Sequence, residues 1–382
     1  MFGKQFFLVL ATLVFAFIVQ GNPIYALSPA DKNWADLEQR GTAALDSNEY
    51  GKAESLLKKA LVQAKEFRPS DMRLAKSIAE LGRLYTIRGQ FSRAALYLET
   101  ELKVKELLSG NKQYQCIPTM GSLIQFYFKY DMQNKAIPLT KKMLALIDNR
   151  LKTPPLVPMI EWATICDTVG DRFHTVHNLV FADRLFKTSL SIKTILLPHN
   201  HLSLAYSYER IGSLDMERNE PTKAEQYFAN EVKITEKILP PESHEVYAST
   251  DKLAKCLISQ KKYEAAEKLY LHAKNCCIEG HAKPEDTASM LFALGCLYTE
   301  EHKYKLALSC FQQALQLAKQ CNGSNSIALS AYLEKIDLAK SAQRQASLKQ
   351  PLIETSQESA SHATNSMLVA KKSEKSTSHQ LY

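Results

Sequence analysis

Residues Leu294–Ala314 read LGCLYTEEHKYKLALSCFQQA, and looser copies of this stretch occur six more times upstream. Ala307 marks its register. The same slot is filled by Ala53, Ala94, Ala136, Ala182, Ala224 and Ala266, and subtracting successive numbers gives steps of 41, 42, 46, 42, 42 and 41 residues. A fixed period of this length is the signature of a solenoid, in which each repeat buries its apolar face only against its neighbours.

Twelve residues before each of these alanines stands a second small residue: Gly41, Gly82, Gly170, Gly212, Ala254 and Gly295, with Ile124 as the exception. An aliphatic side chain precedes it in six repeats (Leu81, Leu123, Val169, Ile211, Leu253 and Leu294), and Tyr85, Tyr127, Phe173, Leu257 and Tyr298 follow three residues later. These positions share one helical face. Four residues after the alanine come Leu57, Leu98, Phe186, Phe228, Tyr270 and Phe311, one turn along the same stripe of a second helix. Pro69, Gly110, Pro154, Pro198, Pro240, Pro284 and Gly323 then read as stops, because Gly costs about 1 and Pro about 3 kcal/mol in a helix interior. Each repeat is thus expected to be a helix, a short turn, a longer helix and a stop.

This pattern resembles the tetratricopeptide repeat, and the period near 42 resembles the longer repeats of kinesin light chains, over roughly Trp34 to Gln345. The resemblance implies an all-α, right-handed superhelical solenoid of about seven helix pairs. It also implies a non-enzymatic scaffold for protein–protein contacts, since the matching residues are those that pack helices together. By the same resemblance the first helices line a concave groove, and the residue after the small one points into it. The groove then holds Arg83, Gln125, Asp171, Ser213 and Lys255, with Lys129, Asp167, Glu209 and Phe292 beside them. So drawn, it is basic near Lys76, Arg83 and Lys129 and acidic near Asp167, Asp171, Glu209 and Glu217. Such an order of charge would set a partner segment in register. The Asn pair of the family's carboxylate clamp is missing, which favours an extended or helical protein segment over a C-terminal carboxylate as ligand.

Outside the repeats, Phe6–Val19 is a 14-residue run, apolar but for Thr12, after Lys4 and closed by Gln20-Gly21-Asn22-Pro23. As a helix it would span about 21 Å against a hydrocarbon core of roughly 30 Å, so residues 1–26 read as a signal peptide cleaved after Ala26. An uncleaved anchor is the alternative, which would make the chain a membrane-anchored structural subunit organising an envelope complex, and only then would it touch a membrane. Residues 27–345 form the solenoid, with a capping helix over 326–345 whose apolar contacts are Ile327, Leu329, Leu333, Ile336 and Leu338 and whose outward side carries Glu334, Lys335, Asp337 and Lys340. Residues 346–382 read as a disordered polar tail. The expected location is outside the cytoplasm, in the periplasm, cell envelope or medium. The formal net charge of +8 is spread along mixed Lys/Glu faces, which argues against nucleic acid as partner.

No phosphate loop, nucleophile elbow or zincin helix is present. His174, His177, His199 and His201 cluster in the fourth repeat without a complete ligand set, so neither a metal nor any other cofactor is expected. The eight cysteines read either as thiols or as one or two disulfides, with Cys276 or Cys277 to Cys321 as the pairing that neighbouring positions suggest. The Thr153–Pro158 stretch, dense in proline, reads either as a joint between two half-stacks or as drift in a tolerant loop.

Overall fold

The computed structural model describes residues 28–67, 71–153, 160–279, 283–322 and 329–347. Among them the chain is helical throughout: α1 (Pro29–Asp46), α2 (Tyr50–Glu66), α3 (Met72–Ile87), α4 (Phe91–Ser109), α5 (Ile117–Lys129) and α6 (Gln133–Lys152), then α7 (Ile160–Thr175), α8 (Leu179–Leu196), α9 (Leu202–Glu217), α10 (Pro221–Ile238), α11 (His244–Ser259), α12 (Tyr263–Glu279), α13 (Pro284–Glu300), α14 (Tyr304–Asn322) and α15 (329–347). A 3-10 segment, Gly110–Cys116, joins α4 to α5. The helices fall into two compact units, one ending at Val157 and one beginning at Pro158, so the boundary lies in the proline-dense stretch. Each is described separately below.

The first helix of every pair ends in the same way. Asn48, Gly89, Asp131, His177, Asn219, Lys261 and His302, each five residues before its alanine, take positive φ. The next N–H then reaches back five residues: Glu49 to Ala44 O at 2.8 Å, Met132 to Tyr127 O at 2.7 Å, Asn178 to Phe173 O at 2.9 Å and Lys303 to Tyr298 O at 2.8 Å, with the other three pairs alike. This is the bond of a Schellman stop, which satisfies a carbonyl that the helix end would leave bare. The same stop therefore joins the two helices in all seven pairs.

Side chains cap several starts. Ser28 and Asp31 form a reciprocal capping box, and Asp71, Asn178 and Ser243 accept from N–H groups of the first turn. Pro29, Pro221 and Pro284 sit in first turns, where the missing N–H costs nothing. Pro284 thus opens α13; it is not the stop of α12, which ends at Glu279. Pro198 and Pro240 do follow the ends of α8 and α10, and Gly110 takes φ +50° just past α4. Pro69, Pro154 and Gly323 lie outside the described residues, as do residues 1–26, the 348–382 part of the tail, and Ile327.

The small residues are explained by close approach. A Cβ added at Gly170 would lie 2.5 Å from the Phe186 ring, at Gly212 2.8 Å from Phe228 and at Gly295 2.6 Å from Phe311. In the third pair bulk is exchanged: Ile124 fills the small slot and Thr140 stands where other repeats carry an aromatic or leucine, and both are fully buried. Helix α6 also runs through Pro138, five residues in from its start, so the drift of this repeat leaves its two helices intact.

The terminal helix differs from its expected register. In α15 the buried side chains are Leu329, Ile336 and Ala339, while Leu333 and Leu338 are 49% and 54% exposed. Ile336 and Ala339 join the cluster containing Leu294, Leu297 and Phe311, and Leu329 packs with Ala288 and Ala318. The buried residues are seven and three apart; Leu333, four after Leu329 and three before Ile336, fits a helical stripe by spacing and is nonetheless left exposed by the docking.

Candidate protein-binding face

Because the glycines clamp each first helix against the second, the residue after each glycine is turned away from that contact. Arg83, Lys129 and Lys255 are exposed, and Gln125, Asp167, Asp171, Glu209, Ser213 and Phe292 are half-buried. Every position expected to line the groove therefore keeps some access to solvent.

In the N-terminal unit, Arg83 reaches from α3 to Asp46 Oδ1 at 2.8 Å and to Glu80 at 3.5 Å. Its charge is already partly met. Lys76 lies over the Trp34 ring at 5.5 Å and Lys129 over the Tyr130 ring at 5.4 Å. Trp34 Nε1 donates to Ser77 Oγ, which donates to the buried Glu38, and burial raises the Glu38 carboxyl above its usual range. The basic character of this face thus comes from exposed cations above a polar network.

In the C-terminal unit the carboxylates expected to make an acidic patch are paired. Lys193, buried on α8, donates to Asp167 Oδ2 at 2.7 Å and to Ser207 Oγ at 2.7 Å. Arg210 on α9 spans Asp167 Oδ1 at 3.3 Å and Asp171 Oδ2 at 3.0 Å, with its guanidinium over the Phe186 ring. Burial pushes the Asp171 carboxyl up against the pull of Arg210. Lys252 on α11 ties Glu209 to Glu231, the latter at 3.0 Å, and burial raises Glu231 to about 7. Glu217 lies 2.8 Å from His174 Nε2. An acidic patch as drawn from sequence is therefore an ion-pair lattice. The cations come from helices 26 to 43 residues away, a distance at which no short motif is visible.

The last first helix is engaged at its end. Phe292 stands edge-on to Tyr332 of α15 at 5.0 Å and 5.5 Å from Phe311, so its ring serves the cap as well as the face. Asp215, which breaks the aromatic slot, is 2% exposed and sits 3.8 Å from Arg218, and burial raises its carboxyl. The histidines of the fourth repeat have structural partners: His177 holds the positive-φ turn, and His201 Nδ1 accepts from Ser203 N–H. Among the described residues no group of three or more His, Cys, Asp or Glu is arranged to hold a metal ion.

Cys256 donates to Pro221 O at 3.0 Å, linking neighbouring pairs, and burial pushes its thiol, like those of Cys296 and Cys310, upward. Such thiols are poor nucleophiles. The side chains of Cys277 and Cys321 lie outside the described residues.

Residues 246–320 match the tetratricopeptide repeat family model. No curated protein matches the chain. Similar solved structures include BtubC from P. vanneervenii (14% identity, 63% of this chain and 93% of that one, TM-score 0.42). A putative kinesin light chain from Podospora anserina gives 18%, 56%, 98% and 0.38, and the C-terminal part of a repeat protein from Cytophaga hutchinsonii gives 13%, 78%, 99% and 0.47. The family model falls on α11–α14, so this part of the chain is built of tetratricopeptide repeats, and the clamp of small residue against bulky residue recurs in helix pairs upstream; repeats of this kind serve in general as scaffolds for contacts between proteins.

Proposed function

We propose that this chain is an exported, non-enzymatic scaffold that holds a segment of another protein along the face of its first helices. The observation that carries the reading is the register itself. Within each unit it leaves one variable, solvent-accessible residue on each first helix, Arg83 and Gln125 in the N-terminal unit and Asp171, Ser213 and Lys255 in the C-terminal one, while the positions around it are consumed by packing. Paired charges such as Arg210 with Asp171 hold those side chains in place before a ligand arrives, which lowers the ordering cost of binding. Export rests on the Phe6–Val19 run, which lies outside the described residues; no described helix is long and apolar enough to cross a membrane.

The test is a pull-down from an envelope fraction with the chain from Leu27, beside Arg83→Glu and Lys255→Glu variants, whose side chains are exposed and whose surface pairs with Asp46 and Asp251 are checked by melting. Asp171→Lys would be a poor choice, because it would set a third cation beside Arg210 and Lys193. A partner retained by the parent and lost by the charge variants, with equal melting temperatures, supports groove binding. Equal retention refutes it. Intact mass of the exported protein checks the leader: a mature chain beginning at Leu27 is expected.

A further inference from the structure

The C-terminal unit carries a second surface, between successive second helices. A cleft of about 320 Å³ is bounded by Thr194 of α8, by His199 in the α8–α9 loop, and by Asn230, Lys233 and Lys237 of α10. Its floor is apolar, made by Leu204 of α9, 1% exposed, and Ile234 of α10, 7% exposed. On α9, Leu204 and Tyr208 lie well over a quarter of a turn from the line through Glu209 and Ser213, so this cleft is not the groove of the first helices.

The cleft is a product of the repeat. A second one in the same unit is lined by Glu236, Pro241, Val246, His272 and Cys276, which are Thr194, His199, Leu204, Asn230 and Ile234 each advanced by 42 residues. A third, in the N-terminal unit, uses Asn111, Leu146 and Asn149 at the same register positions. The geometry recurs and the chemistry does not. At the positions of Lys233 and Lys237 the N-terminal cleft has Ala145 and Asn149, and at that of Lys233 the second cleft has Asn275. Of these three clefts, the one between α8 and α10 carries two cations on its second helix.

We propose that this cleft docks an acidic segment of a partner protein, with one carboxylate met by Lys233 and Lys237 and an adjacent aliphatic side chain set on Leu204 and Ile234. Lys233 and Lys237 are exposed, one turn apart on α10, and have no carboxylate within ion-pair distance among the described residues. Lys223 on the same helix is bound by Glu220 at 2.7 Å. Two unmatched cations one turn apart suit a carboxylate between them, and Asn200 and Asn230, which line the same cleft, offer amide groups of the kind that bond a peptide backbone. The flat-lying apolar floor gives such a segment what a free inorganic anion could not use. This surface is independent of the groove reading.

The experiment uses the full exported chain and a labelled, acetylated and amidated peptide of alternating Leu and Glu, with its Leu/Gln counterpart, followed by fluorescence anisotropy at low salt. The Lys233→Glu/Lys237→Glu variant is expected to bind the Glu peptide about tenfold more weakly, and the parent to bind the Gln peptide weaker by a similar factor. A control of equal charge change, Lys268→Glu/Lys305→Glu, and the groove variant Arg83→Glu should bind as the parent does. Equal binding by the cleft variant, equal binding of the Gln peptide, an equal loss in Arg83→Glu, or full displacement by millimolar inorganic phosphate would each overturn the proposal. Should the Glu variant melt lower, Lys233→Gln/Lys237→Gln takes its place with a smaller expected loss.

Discussion

Ile124 and Thr140 show how a repeat tolerates its own exceptions. At the register where other pairs set Gly against Phe, this pair carries a large residue on the first helix and a small one on the second, both buried, and the summed volume changes little. Thr140→Phe should cost about 1 to 3 kcal/mol by overpacking, and Ile124→Gly about 2 to 5 by leaving a cavity in a helix that also gains a glycine. The double variant restores the common pattern, and its loss is expected to fall short of the sum by more than about 1 kcal/mol in denaturant titration. An additive pair would show that the two side chains do not share a space. Glu231 makes a different prediction. Its carboxyl titrates near 7 in the fold against 4.5 as the reference value, because burial disfavours its charge. Below pH 4.5 both states hold the proton and the group is neutral in the balance; between 4.5 and 7 only the folded state keeps it, so stability falls as pH rises through that window. Glu231→Gln should flatten the dependence of melting temperature on pH between those values, and an unchanged slope would place the effect elsewhere.

The element most exposed to error was α15. Its existence is legible in the apolar residues after Ser326, but its stripe is not, because Leu333 and Leu338 are as apolar as Leu329 and Ile336 and only the docking on α13 and α14 decides between them. Ile336→Ala is therefore expected to cost about 2 to 4 kcal/mol, and Leu333→Ala less than about 0.5, in thermal or urea melts. A reversed order would restore the register read from sequence. The pairs themselves were fully legible, since small-to-bulky contacts within one pair span a constant distance along the chain. The ion pairs around Lys193, Arg210 and Lys252 were not, since each depends on which rotamer meets which helix. The seven turns that end the first helices are not legible as a repeat. Asn, Gly and Asp at four of the positions are usual in a left-handed conformation, but His and Lys at the other three conceal the period.

At the scale of the whole molecule, a chain whose helices contact mainly their neighbours stores stability as a series of local terms. Gly212→Leu drives a side chain into the Phe228 ring, and its loss of about 1 to 3 kcal/mol should be spent near α9 and α10. Hydrogen exchange is expected to quicken in α8 to α11 and to stay unchanged in α1 to α4. Uniform loss of protection through both units would mean that the chain unfolds as one cooperative body.

The constant turn has a consequence for how such a chain can change length. From each left-handed residue to its alanine the distance is five residues in all seven pairs, and every one of those turns is locked by the same backbone bond. The one surplus in the array, the 46-residue step, falls between Asp131 and His177, across the division between the two units. Insertions and deletions are thus filtered by position: inside a pair they would break a lock, and between pairs they only lengthen a tether. Lineages of this protein should differ in spacing at the joins and almost never at the hairpins, and an epitope tag has one natural place to go.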